Sequence, residues 1–294
     1  MPANPRIIRR RIKSVRNTRK ITKAMELVAA SKMRRAVASV LGTRPFSGLS
    51  WETVRSVARI TDSSTHPLLA PRAEIKRVLF VLFTSDRGLC GGFNSKMLKE
   101  ALQAMNKEGQ THIDVLTVGK RGANVMRRAG KQIVASFVDL TNNPKYQDVR
   151  PIARLILEEY RSRKYDKVIV GYTDYISALT QKPNLIDLLP LGWGQVFTVA
   201  SDVEKLNSKD MTLFEPSPME VLDALLPKIV ETMIWQALLE SAASEHSARM
   251  IAMRNASEAA GDMIDSLTFS FNQARQAGIT REIAEISSGK AALE

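Results

Sequence analysis

The sequence predicts a long antiparallel two-helix coiled coil formed by the N- and C-terminal segments, with an α/β domain inserted between them. Three observations predict it. A heptad seam runs through the first 40 residues, a longer one begins after residue 217, and strand and helix patterns alternate in between.

In the first segment Asn4 can cap a helix whose first position is Pro5, where a missing N–H costs nothing. Steps of four and three then give Ile8, Ile12, Val15, Arg19, Thr22, Glu26, Ala29, Met33, Ala36 and Val40. Gly42 and Pro45 are expected to kink or interrupt the helix near 42–46. Helical patterning resumes through Trp51, Val54, Val57 and Ile60, which closes a first part at 1–62.

The last part, 216–294, opens on a capping box. The Ser217 hydroxyl can accept the N–H of Glu220, and Glu220 can reach back. Its seam runs Leu222, Leu225, Ile229, Thr232, Gln236, Leu239, Ala243, His246, Met250, Met253, Ser257, Ala260, Ile264, Leu267, Phe271 and Ala274. Pro227 is the one strong irregularity before Gly278. About 60 helical residues at ~1.5 Å each make a rod of roughly 90 Å. Shorter core helices broken at Pro227 and Gly261 are the alternative.

Between them, strands are expected at 77–84, 112–118, 132–140 and 167–172, and helices at 95–108, 120–129 and 147–163, followed by a Pro-punctuated stretch to Pro216. Such alternation implies a mainly parallel sheet with right-handed crossovers, a Rossmann-like domain over 75–200. Short connections at its two ends would lay the terminal helices side by side.

Charge is unevenly placed. The chain of 294 residues carries a net +13, and residues 1–35 alone hold twelve Lys or Arg against Glu26. Residues 216–294 hold six basic and eleven acidic groups. The basic helix has no aromatic residue before Phe46 for base stacking, and its apolar residues follow a narrow seam, unlike a membrane-surface helix. Cys90 is the only cysteine, so disulfides within the chain and cysteine-based zinc sites are excluded. No apolar run approaches the ~20 residues of a membrane span.

The turn at 85–94 (SDRGLCGGFN) lies between a strand and a helix, where phosphate is often bound. Its glycines are spaced G-x-x-G-G, not G-x-G-x-x-G, and there is no Walker A sequence. His66, His112 and His246 have no metal-ligand spacing, and none is near Cys90 in sequence. No metal, no cofactor and no catalytic residue is expected. Past the seam, Ile279, Ile283, Ile286 and Leu293 form an apolar helix end without a partner in the chain, a tip that needs a socket in another protein.

Four stretches then carry a family likeness: 20–34 (KITKAMELVAASKMR), the 85–94 turn, 244–253 (SEHSARMIAM), and 274–277 (ARQA) with Ile279 and Thr280. Together they resemble the gamma subunits of F-type ATP synthases. The resemblance implies a central rotor. Its coiled coil lies inside a ring of three alpha and three beta subunits, and its α/β domain sits with the epsilon subunit on the membrane c-ring. It also implies roles for residues. Arg275 and Gln276 resemble the catch on a beta-subunit loop. Lys23 and Met25, with Asp86, Arg87, Gly88 and Cys90, resemble contacts near the beta-subunit lever. Ile279, Ile283, Ile286 and Leu293 correspond to the bearing tip. The two-cysteine insertion of chloroplast members is missing, so a bacterial protein at the cytoplasmic face of the cell membrane is expected. Nucleic acid and small-molecule substrates are not. Competing readings are a dinucleotide-dependent enzyme with a helical oligomerisation arm, and a basic coiled-coil scaffold for nucleic acid.

Overall fold

The computed structural model describes residues 5–60, 66–72, 74–107, 111–191 and 217–291. In chain order the elements are α1 (Pro5–Ile60), β1 (Arg77–Phe83), α2 (Phe93–Lys107), β2 (His112–Val118), α3 (Lys120–Arg128), β3 (Gln132–Phe137), α4 (Tyr146–Arg161), β4 (Lys167–Tyr175), β5 (Gln181–Leu189) and α5 (Pro218–Ala291). N- and C-terminal helices therefore bracket a central mixed sheet. Met1–Ala29 with Arg249–Glu294 form one compact unit, and Ala30–Ala248 form the other. This division falls inside α1 and α5.

In the larger unit the strand order is β3-β2-β1-β4-β5, with the first four parallel and β5 antiparallel to β4. β1 is buried from Val78 to Phe83, as expected of a strand covered on both faces. Its side chains alternate between two cores. Leu79, Val81 and Phe83 join α4 (Ile152, Ile156) and the first turns of α5 (Leu226, Val230, Leu238). Val78, Phe80 and Leu82 join Met97 and Ala101 of α2 and Met126 of α3. Ala36 and Val40 of α1 pack with Leu239 and Ala243 of α5 in the same unit.

The smaller unit is held by Ile8, Ile12 and Ile264, with Val15, Leu267, Phe271 and Ala274 packed around them. Along the same helix faces Thr22, Ala29, Ser257 and Ala260 are buried and small. Gly261 lies beside Arg19, where an added Cβ would sit 3.3 Å from the guanidinium carbon.

Several expectations are corrected. α1 is not interrupted at Gly42 or Pro45, because the helix continues through Pro45 to Ile60. The carbonyl that the Pro45 ring displaces belongs to Leu41, which is exposed, so water can satisfy it. α5 likewise passes through Pro227, and neither Pro227 nor Gly261 divides it. Only half of the capping box forms. The Glu220 N–H donates to Ser217 Oγ at 3.2 Å, while the Glu220 carboxylate accepts from the Ser217 hydroxyl at 3.0 Å. β3 ends at Phe137 and β4 runs on to Tyr175. A fifth strand, β5, occupies a stretch read as Pro-punctuated, and it tolerates Pro183 because it lies at the sheet edge. The expected cap Asn4 and the stretch 192–216 lie outside the described residues.

The junction of β1, β2 and α3 is tight. The Thr84 N–H donates to the Val118 carbonyl at 2.8 Å, and Thr84 Oγ1 accepts the Gly122 N–H at 2.9 Å. Gly119 has φ 103°, and a Cβ there would collide with the Thr84 carbonyl. Gly119→Ala is therefore expected to cost at least ~2 kcal/mol, read as a lowered urea midpoint at unchanged slope.

Candidate functional site

The turn after β1 is built by its own side chains. The Ser85 N–H donates to Asn94 Oδ1 at 3.0 Å, and Asn94 Nδ2 donates to Ser85 Oγ at 2.7 Å and to Cys90 Sγ at 3.2 Å. The Ser85 hydroxyl in turn donates to the Arg87 carbonyl at 2.7 Å. Asn94 thus ties the two ends of the turn together from inside. Cys90 is buried within this knot. His66 and His112 are engaged by Asp223 and Asp114, at 3.0 and 3.1 Å.

Asp86 binds backbone from two other loops. Its carboxylate accepts the Lys120 N–H at 3.0 Å and the Asp139 N–H at 2.9 Å. One side chain therefore gathers the turns that follow β1, β2 and β3. Beside it, Arg87 is exposed, and Gly88 lies against Arg121, whose Nη2 would be 2.9 Å from an added Cβ.

The other expected contact residues lie in the smaller unit. Lys23 is exposed and paired with Glu26 at 3.0 Å, one turn along the same helix, and Met25 is half-buried. Arg275 and Gln276 are both exposed. Beyond Ala274, the last residue packed in the seam, Ile279, Ile283 and Ile286 are 49%, 62% and 74% exposed. Leu293 lies outside the described residues. Arg6, Arg9, Arg10, Lys13, Arg16, Arg19 and Lys20, with Asn17, Ile12 and Ile264, line an open groove of about 1100 Å³.

Burial, and then the hydrogen bond to Glu231, push the Tyr146 phenol up to about 12. Burial likewise pushes Tyr165 and Tyr172 above the usual phenol range. Among the described residues, no three His, Cys, Asp or Glu side chains come together as metal ligands.

A family model described as ATP synthase matches residues 4–293. The ATP synthase gamma chain of Pelotomaculum thermopropionicum is 45% identical over 289 residues, covering 98% of this chain and 99% of that one. That of Alkaliphilus metalliredigens is 39% identical over 288 residues, covering 98% of each. The chain belongs to the ATP synthase gamma-chain family.

Solved structures share the gamma-chain fold. A chain from the Euglena gracilis mitochondrial ATP synthase (OSCP/F1/c-ring, rotational state 3) aligns with a TM-score of 0.68 at 18% identity, over 98% of this chain and 94% of that one. A chain from the Tetrahymena thermophila mitochondrial central stalk and c-ring aligns at 0.60 and 24% identity, over 81% of this chain and 99% of that one.

Sequence reasoning placed Asp86 among surface contacts and missed the loops it joins, since Lys120 and Asp139 are 34 and 53 residues away. It also missed the buried polar residues Glu240, Ser241, Ser244 and Ser247 on α5, of which the only signal is a run of polar residues too dense for one helix face. For this gamma chain, Asp86→Ala is expected to lower stability by about 1–3 kcal/mol in urea unfolding, and Asp86→Asn by less, because it keeps one acceptor.

Proposed function

We propose that this chain is the central-stalk rotor of an F-type ATP synthase. It couples ion-driven rotation of the membrane c-ring to conformational change, and hence to ATP synthesis or hydrolysis, in a hexamer of three alpha and three beta subunits. The observation that carries the reading is a family match along 4–293 in a chain whose last helix ends in exposed apolar residues. An isoleucine-lined helix end at Ile279, Ile283 and Ile286 calls for a socket outside the chain.

Segments 5–29 and 249–291 are read as an antiparallel coiled coil. Support comes from Ile8 and Ile12 clustering with Ile264, Leu267 and Phe271, and from the small residues that let the helices approach. The sheet is read as Rossmann-like, on its order 3-2-1-4 of parallel strands with helices on both faces. In this reading the α/β domain meets the epsilon subunit and the ring, and the chain is peripheral at the cytoplasmic face of a bacterial membrane. No helix among the described residues is long and apolar enough to cross one.

The isolated chain is read as non-catalytic, supported by Asn94 and Ser85 tying together the Gly-rich turn after β1, the turn with a phosphate-site position in the sequence. Arg275 and Gln276 are assigned to the catch on one beta subunit, supported by their exposure on α5. Lys23, Met25, Arg87 and Gly88 are assigned to the lever contact. Asp86 and Cys90 serve that contact from behind by shaping the turn. The basic groove suits acidic partner surfaces, with an attraction that salt should screen.

In a complex reconstituted from alpha, beta and this chain, Arg275→Ala with Gln276→Ala is expected to lower steady-state ATPase about 3–10-fold, the scale of one ordinary hydrogen bond. Far-UV circular dichroism of the chain should stay unchanged. Undiminished turnover would remove the catch assignment, and failure of the unsubstituted chain to join the hexamer would remove the rotor reading.

A further inference from the structure

The end of β4 outruns its neighbour on one side. β1 pairs with β4 only as far as Leu82↔Gly171, while β5 stays paired to Tyr175↔Gln181. On the β1 side, the backbone groups of Thr173 and Tyr175 have no strand to bond, and a buried strand edge left so is costly.

Side chains of α5 take the place of the missing strand. The Thr173 N–H donates to Ser241 Oγ at 3.3 Å, and the Thr173 carbonyl accepts from the Ser244 hydroxyl at 3.1 Å. The Tyr175 N–H donates to Glu240 Oε2 at 3.0 Å. One turn on, the Ser247 hydroxyl donates to the Ala178 carbonyl at 2.6 Å. The ladder also reaches α1. Glu240 Oε1 accepts from Gln236 Nε2 at 2.9 Å, and Gln236 Oε1 accepts from the Thr43 hydroxyl at 2.7 Å. Gln236, Glu240, Ser241, Ser244 and Ser247 are each no more than 2% exposed.

Polar side chains thus fix the helix to the strand edge. From Leu226 and Val230 up to Leu238, just before the ladder, α5 lies on the same sheet core through apolar contacts of the ordinary kind. Apolar contacts resist separation but are non-directional, so a helix can slide or roll on them by small rotamer changes. Hydrogen bonds are directional and fail steeply with angle, so a ladder of them fixes the rotation of a helix about its own axis. The ladder satisfies the strand edge and, because its bonds are directional, also sets the rotation of the helix.

We propose that Glu240, Ser241, Ser244 and Ser247 form the torque splice of the rotor, the contact that stops α5 from rolling against the sheet when the sheet is turned. The inference rests on the rotor reading and names positioning residues within it. None of the four touches nucleotide or an assigned contact with the hexamer. Loss of the hydroxyls should leave ATP hydrolysis itself nearly unchanged while making the link between sheet and helix torsionally soft.

The test uses the complete reconstituted complex with the hexamer immobilised and a bead on the sheet domain, reading angular fluctuation at a catalytic dwell. For Ser241→Ala with Ser244→Ala, angular variance is expected to rise about two-fold or more, with hydrolysis within about two-fold of the unsubstituted complex. Leu238→Val, which loosens the neighbouring apolar contact, should leave the variance unchanged. If the double variant does not assemble, Ser247→Ala alone carries the same expectation. Unchanged variance in an assembled serine variant overturns the proposal, and so does an equal rise for Leu238→Val. An unsubstituted complex in which the bead never turns overturns the rotor reading, and the splice with it.

Discussion

A helix of 74 residues cannot bury an apolar stripe against itself, and everything else in this chain follows from where α5 finds cover. In the smaller unit that cover is α1. Ile8 and Ile12 close over Ile264, each burial being worth roughly 1.5–3 kcal/mol. Further along, the stripe turns small, with Thr22, Ala29, Ser257 and Ala260 buried where bulk would hold two backbones apart. In the larger unit α5 meets α1 again through Leu239 and Ala243, and it adds contacts of a different chemistry. There it supplies one wall of the sheet's core through Leu222, Leu226 and Val230, and then a polar edge to β4.

The sheet depends on a second constraint, the crowding of loops at the ends of its parallel strands. Thr84, Asp86 and Asn94 each bind backbone or side chains across that crowd, and Gly119 is there because no Cβ fits beside the Thr84 carbonyl. The outcome is a firm turn at residues 84–92 whose outer residues, Arg87 and Leu89, face solvent. Firmness beneath and exposure above suit a surface that meets a moving partner.

Legibility in the sequence followed the range of the interactions. The helical seams could be read because a three–four alternation is local arithmetic, and the residues it picked out on α5 from Leu222 to Ala274 are buried or half-buried. β1, β2 and the helices between the strands were legible for the same reason. β5 was missed because an edge strand keeps few apolar residues, and Pro183 speaks against a strand unless its edge position is known. The expected break at Gly42 and Pro45 did not end α1, since the cost of a proline falls when water can reach the freed carbonyl of Leu41. The site was legible mainly through family likeness. The motif could be copied to Asp86, but its pairing with Lys120 and Asp139, and the Glu240–Ser247 ladder, arise only once the chain has folded.

The account stands or falls on α1 and α5 sharing one apolar seam, and a double-mutant cycle between Ile12→Ala and Ile264→Ala in the full chain measures that directly. Each single change should cost about 2–4 kcal/mol of helix-monitored stability, and their coupling should exceed ~0.5 kcal/mol. Strict additivity, within ~0.3 kcal/mol, would mean that the two isoleucines do not meet, and would contradict the paired-helix account.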